Sequence, residues 1–141
     1  KRMKKMQSLI PNFLFVKSTE NEMKKYIGKH PVDFLHHYYV PHKDNSGNAI
    51  GTKGIKPLVI PDEQMAAFQQ WYAIRDDNKL FIADDKMHFT KDQHVKVIGG
   101  KFEGMCGRVC HIKGQSRVGI VISGVGIIFT AYIPKGMLEV L

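Results

Sequence analysis

Val95-Lys96-Val97-Ile98-Gly99-Gly100-Lys101-Phe102-Glu103-Gly104-Met105-Cys106-Gly107-Arg108-Val109 decides how the chain is read. A β-branched run, a double glycine, the pattern Phe-x-Gly-x-x-Gly and a second β-branched run predict two strands joined by a tight turn. Gly99, Gly100, Gly104 and Gly107 allow positive φ or close backbone approach, and Phe102 is placed to plug the mouth of a barrel. Three further short runs follow, Val118–Ile122, Ile127–Ile133 and Met137–Val140. Gly114-Gln115-Ser116, Ser123-Gly124 and Pro134-Lys135-Gly136 punctuate them. Residues 88–141 hold nine of the chain's 13 glycines and almost no helical period. Five short strands with tight turns predict a small β-barrel over 88–141.

Upstream, the pattern changes. Residues 76–87 read as an acidic linker with Asp76-Asp77 and Asp84-Asp85, and Leu80-Phe81-Ile82 as a candidate docking strand within it. Before the linker, Pro61 suits a first helical turn, and Asp62 and Glu63 favour the positive end of the helix dipole. Met65, Phe68 and Trp71-Tyr72 then recur at helical spacing, which marks a core face. Residues 41–56 are loop, with Asn45-Ser46-Gly47-Asn48 as turn chemistry. Thr19-x-x-Glu22 is a capping box opening a helix over about 20–29, with Pro31 as its stop. Leu9 to Val16 and Val32 to Val40 read as strands. Residues 1–75 are therefore one α+β domain, 76–87 a linker and 88–141 the barrel.

The chain has 141 residues, 43% of them apolar, with 21 Lys plus Arg against 13 Asp plus Glu. The net charge of +8 favours acidic partners. Residues 1–30 carry eight cations against Glu20 and Glu22, a net of +6, and residues 88–141 carry seven against three, a net of +4. Lys1, Arg2, Lys4 and Lys5, with Lys24 and Lys25 on the following helix, are candidate phosphate contacts; a solvated strand end is the plain alternative. No apolar run approaches the roughly 20 residues of a bilayer span, and no secretory signal is visible. Two cysteines, Cys106 and Cys110, form no disulfide framework and point to a reducing, cytoplasmic setting. Along a strand they lie about 13 Å apart, too far for one zinc site unless a turn intervenes. His30, His36, His37 and His42 lack ligand spacing, and Asp84-Asp85 lack that of a calcium loop. No P-loop, Ser-His-Asp logic or paired carboxylates appear. The expectation is a binding protein with no metal, no cofactor and no catalysis.

Two segments resemble a known family. Residues 95–109 resemble a KOW motif. Ile10-Pro11-Asn12-Phe13-Leu14-Phe15-Val16, followed by a helix, His30-Pro31-Val32 and Ile60-Pro61-Asp62, resembles the second half of the NGN domain of NusG-type transcription factors. The specialised paralogues of RfaH and UpxY type are the most similar. The resemblance implies an α+β chain: a truncated NGN-type α/β sandwich, its first strand and helix lying before residue 1, then an SH3-like KOW β-barrel. It implies transcription elongation or antitermination through RNA polymerase, with DNA or nascent RNA of the elongation complex nearby. Ile10, Pro11, Phe13 and Phe15 correspond to the family's polymerase-contacting strand, although a period-2 strand also places Phe13 and Phe15 together as ordinary core. Gly124, Val125 and Gly126 correspond to the KOW tip that meets a ribosomal protein or Rho, with Val125 where the family has an aromatic. Glu22-Met23-Lys24-Lys25 departs from the His-Thr-Thr-Thr patch of RfaH. A ribosome- or RNA-binding KOW protein without polymerase contact is the alternative. No membrane partner is implied.

Overall fold

A computed structural model describes residues 8–10, 13–40, 56–83 and 93–141. It is an α+β protein with two helices and a six-stranded antiparallel sheet. The chain divides into two compact units, Lys1–Val59 and Ile60–Leu141.

In the first unit, helix α1 spans Glu20–Tyr26. Half of the expected capping box forms: the Glu22 N–H donates to the Thr19 hydroxyl at 3.2 Å. The Glu22 carboxylate instead takes Lys25 Nζ at 2.7 Å. The helix stops before Pro31. Ile27 N–H closes on Met23 O at 3.0 Å, and Gly28 follows at φ +74°, the left-handed conformation that ends helices at little cost to glycine. The two expected strands are mostly absent. No strand forms over Phe13–Thr19. Val32 N–H bonds Lys29 O and Leu35 N–H bonds Val32 O, so successive turns consume donors that a ladder needs. What remains is β1 (Tyr39–Val40), antiparallel to β2 (Lys56–Pro57). Residues 41–55, whose composition reads as loop, lie outside the described residues.

The second unit begins before the boundary read from the sequence. Helix α2 (Asp62–Ala73) and strand β3 (Leu80–Ile82) belong to it. The other strands are β4 (His94–Val97), β5 (Cys106–Ile112), β6 (Gln115–Ile122), β7 (Gly126–Phe129) and β8 (Leu138–Val140). The sheet order is β3-β7-β6-β5-β4-β8. Strands β4 to β7 thus form a meander, β8 returns beside β4, and β3 extends the far edge. The predicted strand over 127–133 stops at Phe129. There the fully buried Thr130 hydroxyl accepts the Val118 N–H at 3.0 Å and donates to Ala131 O at 2.8 Å.

Alternation places Val95 and Val97 inside and His94 and Lys96 outside. Register puts Val118, Ile120 and Ile128 on that inner face. Gly126–Phe129 is buried at every position because the opposite face is covered as well. On it Cys110, Ile127 and Phe129 cluster with Leu80, Ile82, Ile112 and Val121.

Candidate functional site

Four polar side chains fasten α2 and the segment after it to the sheet. Gln64 receives the Ser123 backbone N–H on Oε1 and donates from Nε2 to Ser123 Oγ, both at 2.8 Å. Trp71 is fully buried and its indole N–H donates to Phe129 O at 2.9 Å. Helix α2 has no basic residue in its last turn. Lys79 supplies that charge from outside the helix, donating to Trp71 O at 2.8 Å and to Tyr72 O at 3.4 Å. Such bonds satisfy orphan carbonyls where the helix dipole is negative. The same ammonium lies 4.6 Å from the centroid of the Trp71 ring, within cation–π range. Burial pulls the Lys79 pKa below its ordinary value, and the Asp76 carboxylate partly offsets this. Arg117, also buried, donates from Nη1 to Asn78 O and Thr130 O. It thereby holds the turn before β3 against β6.

The glycine-rich turn is the most built part of the unit. Gly100 and Gly104 take φ +80° and +88°, and the Gly104 N–H returns to Val97 O at 2.8 Å. Phe102 is buried. Beside this turn is a cleft of about 150 Å³, lined by Gly99, Gly100, Phe102, Tyr132, Met137 and Asp76, among others.

The residues singled out from the sequence fall into distinct settings. Gly124 and Val125 lie in the turn that Gln64 clamps at Ser123, Gly126 opens β7, and Val125 is buried rather than offered to solvent. Ile10 is buried, and Phe13 and Phe15 are half-buried. Phe13 meets Tyr38 edge-on at 5.1 Å. The outward residues of that segment are Leu14 and Val16, 69% and 54% exposed. Lys24 and Lys25 are exposed, but each already pairs with a carboxylate, Glu20 at 2.9 Å and Glu22 at 2.7 Å. Lys1, Arg2, Lys4, Lys5 and Pro11 lie outside the described residues, as do Asp84 and Asp85. Sequence reasoning missed Gln64, Asp76, Lys79, Arg117 and Tyr132. Of the four residues that helical spacing marked as core, Trp71 is fully buried and Met65 and Phe68 are half-buried, whereas Tyr72 is 64% exposed.

The two cysteines differ sharply. Cys106 is exposed and Cys110 buried. Burial pushes the Cys110 thiol up to about 11, with the Arg117 charge opposing. The thiolate is the reactive form, so a maleimide at pH 8 should label one thiol quickly, and Cys106→Ser should abolish that fast phase. A fast phase surviving Cys106→Ser would place Cys110 at the surface. The linkage has a definite sign. Between about pH 9 and 11 the unfolded chain loses this proton while the folded chain keeps it. The stability contributed by burying a neutral thiol is therefore whole below pH 9 and falls across that window.

No protein-family model, curated protein or solved structure matches the chain. Among the described residues no helix is long and apolar enough to cross a membrane.

Proposed function

We propose that the chain is a NusG-type transcription elongation or antitermination factor, most similar to the RfaH and UpxY paralogues, in which residues 88–141 are a KOW β-barrel. The observation that carries this reading is the sheet order. A four-strand meander whose fifth strand returns beside the first is the closure an SH3-like barrel needs. Its first connection is the glycine turn at Gly99, Gly100 and Gly104, and Gly107 follows in β5. The polymerase role rests on the resemblance of Ile10 to Val16, and the phosphate role of the N-terminal cations on charge. The function is binding, without chemistry of its own.

The deciding experiment is capture of core RNA polymerase against capture of ribosomal subunits by the immobilised protein. Retention of polymerase alone supports the proposal; retention of ribosomal subunits alone transfers the chain to the RNA-binding alternative. A second test uses Phe13→Ala combined with Phe15→Ala. Each phenylalanine, were it fully buried, would contribute about 3–5 kcal/mol to stability, and half-burial lowers that figure. Polymerase affinity should therefore fall by more than the melting loss explains. A folded double variant that binds polymerase like the parent would remove this strand from the interface.

A further inference from the structure

The cleft beside the glycine turn has features that neither the barrel nor the polymerase reading uses. Its floor is apolar, with Phe102 buried beneath the turn. Tyr132 lines it while remaining 53% exposed, and Met137 lines it at 38%. Gly99 and Gly100 leave the neighbouring wall without side chains; a Cβ built there would meet only Met137, at 3.6 Å or beyond. Two charged residues, Asp76 and Lys101, close the cleft. The Asp76 side chain is 14% exposed, and its Oδ1 is fixed by the Asn78 N–H at 2.9 Å. Its Oδ2 faces Lys101 Nζ across 3.8 Å, longer than a hydrogen bond. An aromatic face, an apolar floor and a fixed carboxylate beside an ammonium form a small built site.

We infer that this cleft is a nucleobase site for single-stranded nucleic acid, with Tyr132 as the stacking face and Asp76 as the reader of guanine. Several observations favour this occupant. The chain's net charge of +8 suits a polyanion. Lys101 is exposed at the cleft, and Lys135 sits between the lining residues Pro134 and Met137, so cations border the site where a backbone would pass. A ring stacks on any exposed tyrosine regardless of base. A carboxylate, however, offers only acceptors, and guanine alone presents two adjacent donors, N1–H and the 2-amino group. The 6-amino edge of adenine and the 4-amino edge of cytosine each place an acceptor next to the donor, and uracil flanks its one N–H with carbonyls. The Lys101 ammonium adds a donor suited to guanine O6. This inference is independent of polymerase binding and is tested without polymerase.

The probes are uridine pentamers with a central guanine, adenine or uracil, as RNA and as the deoxy equivalents. Binding is followed by fluorescence anisotropy at fixed salt. The central-guanine strand should bind about ten-fold tighter than the adenine strand, within the range of one good two-bond base contact. Asp76→Asn, which keeps an acceptor for Asn78, should reduce that ratio to about two while leaving uracil binding intact. Tyr132→Ala should weaken all three strands by about ten-fold. The RNA and DNA arms show whether the 2′-hydroxyl contributes. Amide chemical shifts of Gly99, Gly100 and Tyr132 in the parent protein give a readout that needs no variant. Equal affinity for the three strands, unmoved by Asp76→Asn, overturns the inference. So does a set of shifts that ignores the nucleotides and responds to an arginine-rich peptide.

Discussion

Trp71→Ala should be the most damaging single truncation in Ile60–Leu141. The side chain is fully buried, and removing a buried aromatic costs about 3–5 kcal/mol. The substitution also takes the donor from Phe129 O and the ring from beneath Lys79. A buried carbonyl left without its partner adds about 1–3 kcal/mol. Against a total stability of about 5–15 kcal/mol, the sum approaches unfolding. The chain has one tryptophan, so the variant has no indole signal and the melt must be followed by circular dichroism. Tyr72, the next residue and 64% exposed, is the control; Tyr72→Ala should cost below about 1 kcal/mol. Trp71→Phe should fall between, since it keeps most of the packing and loses the indole donor. Equal losses from Trp71→Ala and Tyr72→Ala would mean that α2 does not depend on the sheet.

The same contacts bear on where the second unit begins. Fragment 60–141 retains Gln64, Trp71, Lys79 and strand β3 and should melt cooperatively. Fragment 88–141 lacks all of them, and Ile127 and Phe129 lose β3 from beside β7. It should be markedly less stable and expose apolar surface. A fragment 88–141 as stable as 60–141 would restore the boundary that the acidic composition of 76–87 suggests.

The strands of the second unit were legible because their signal is local. Val95 to Ile98 alternates inward and outward as a half-buried strand does, and the glycines mark their turns. The partnership of α2 with the sheet was not legible. It depends on Gln64, Lys79 and Arg117, polar residues whose roles appear only when distant carbonyls come into reach. Lys79 and Asp76 sit in a stretch whose charge reads as solvated linker, yet Lys79 is buried over Trp71. In the first unit the error ran the other way. Ile10 to Val16 has strand composition, but β structure requires a ladder with a neighbouring backbone, and no strand forms over Phe13–Thr19. Its burial still alternates, Phe13 and Phe15 inward and Leu14 and Val16 outward. The period was right, but no strand forms there. At the candidate nucleobase cleft the turn glycines and Phe102 were visible from the sequence, whereas Tyr132 and Asp76 come from segments far from them along the chain.

Gly107→Val should be severe, though below Trp71→Ala, for a reason that the structure separates from its alternative. A glycine in a turn motif can be required by positive φ or by close approach. Gly107 is not among the positive-φ residues. A Cβ placed on it would strike the backbone oxygen of Gly119, with Val118 Cγ1 at 2.8 Å and Ile120 Cγ1 at 2.9 Å. Side chains can rotate away, but the Gly119 oxygen moves only if β5 and β6 part. These strands are in register from Arg108↔Gly119 to Ile112↔Gln115, so relief at Gly107 strains the pairing beside it. Overpacking a tight core costs about 1–3 kcal/mol, occasionally more, and a collision with main chain belongs at the top of that range. A loss of about 3 kcal/mol corresponds to roughly 12–24 °C in melting temperature for a unit of this size. Gly104→Ala provides the contrast. Its φ of +88° makes the change a conformational strain of about 1–2 kcal/mol, while its nearest neighbour, Gln70 Nε2 at 3.8 Å, leaves room for the methyl group. Gly107→Ala should therefore destabilise more than Gly104→Ala, although only Gly104 has the left-handed backbone. The reverse order in a pair of thermal melts would mean that backbone conformation, rather than the approach of β6, fixes glycine at this turn.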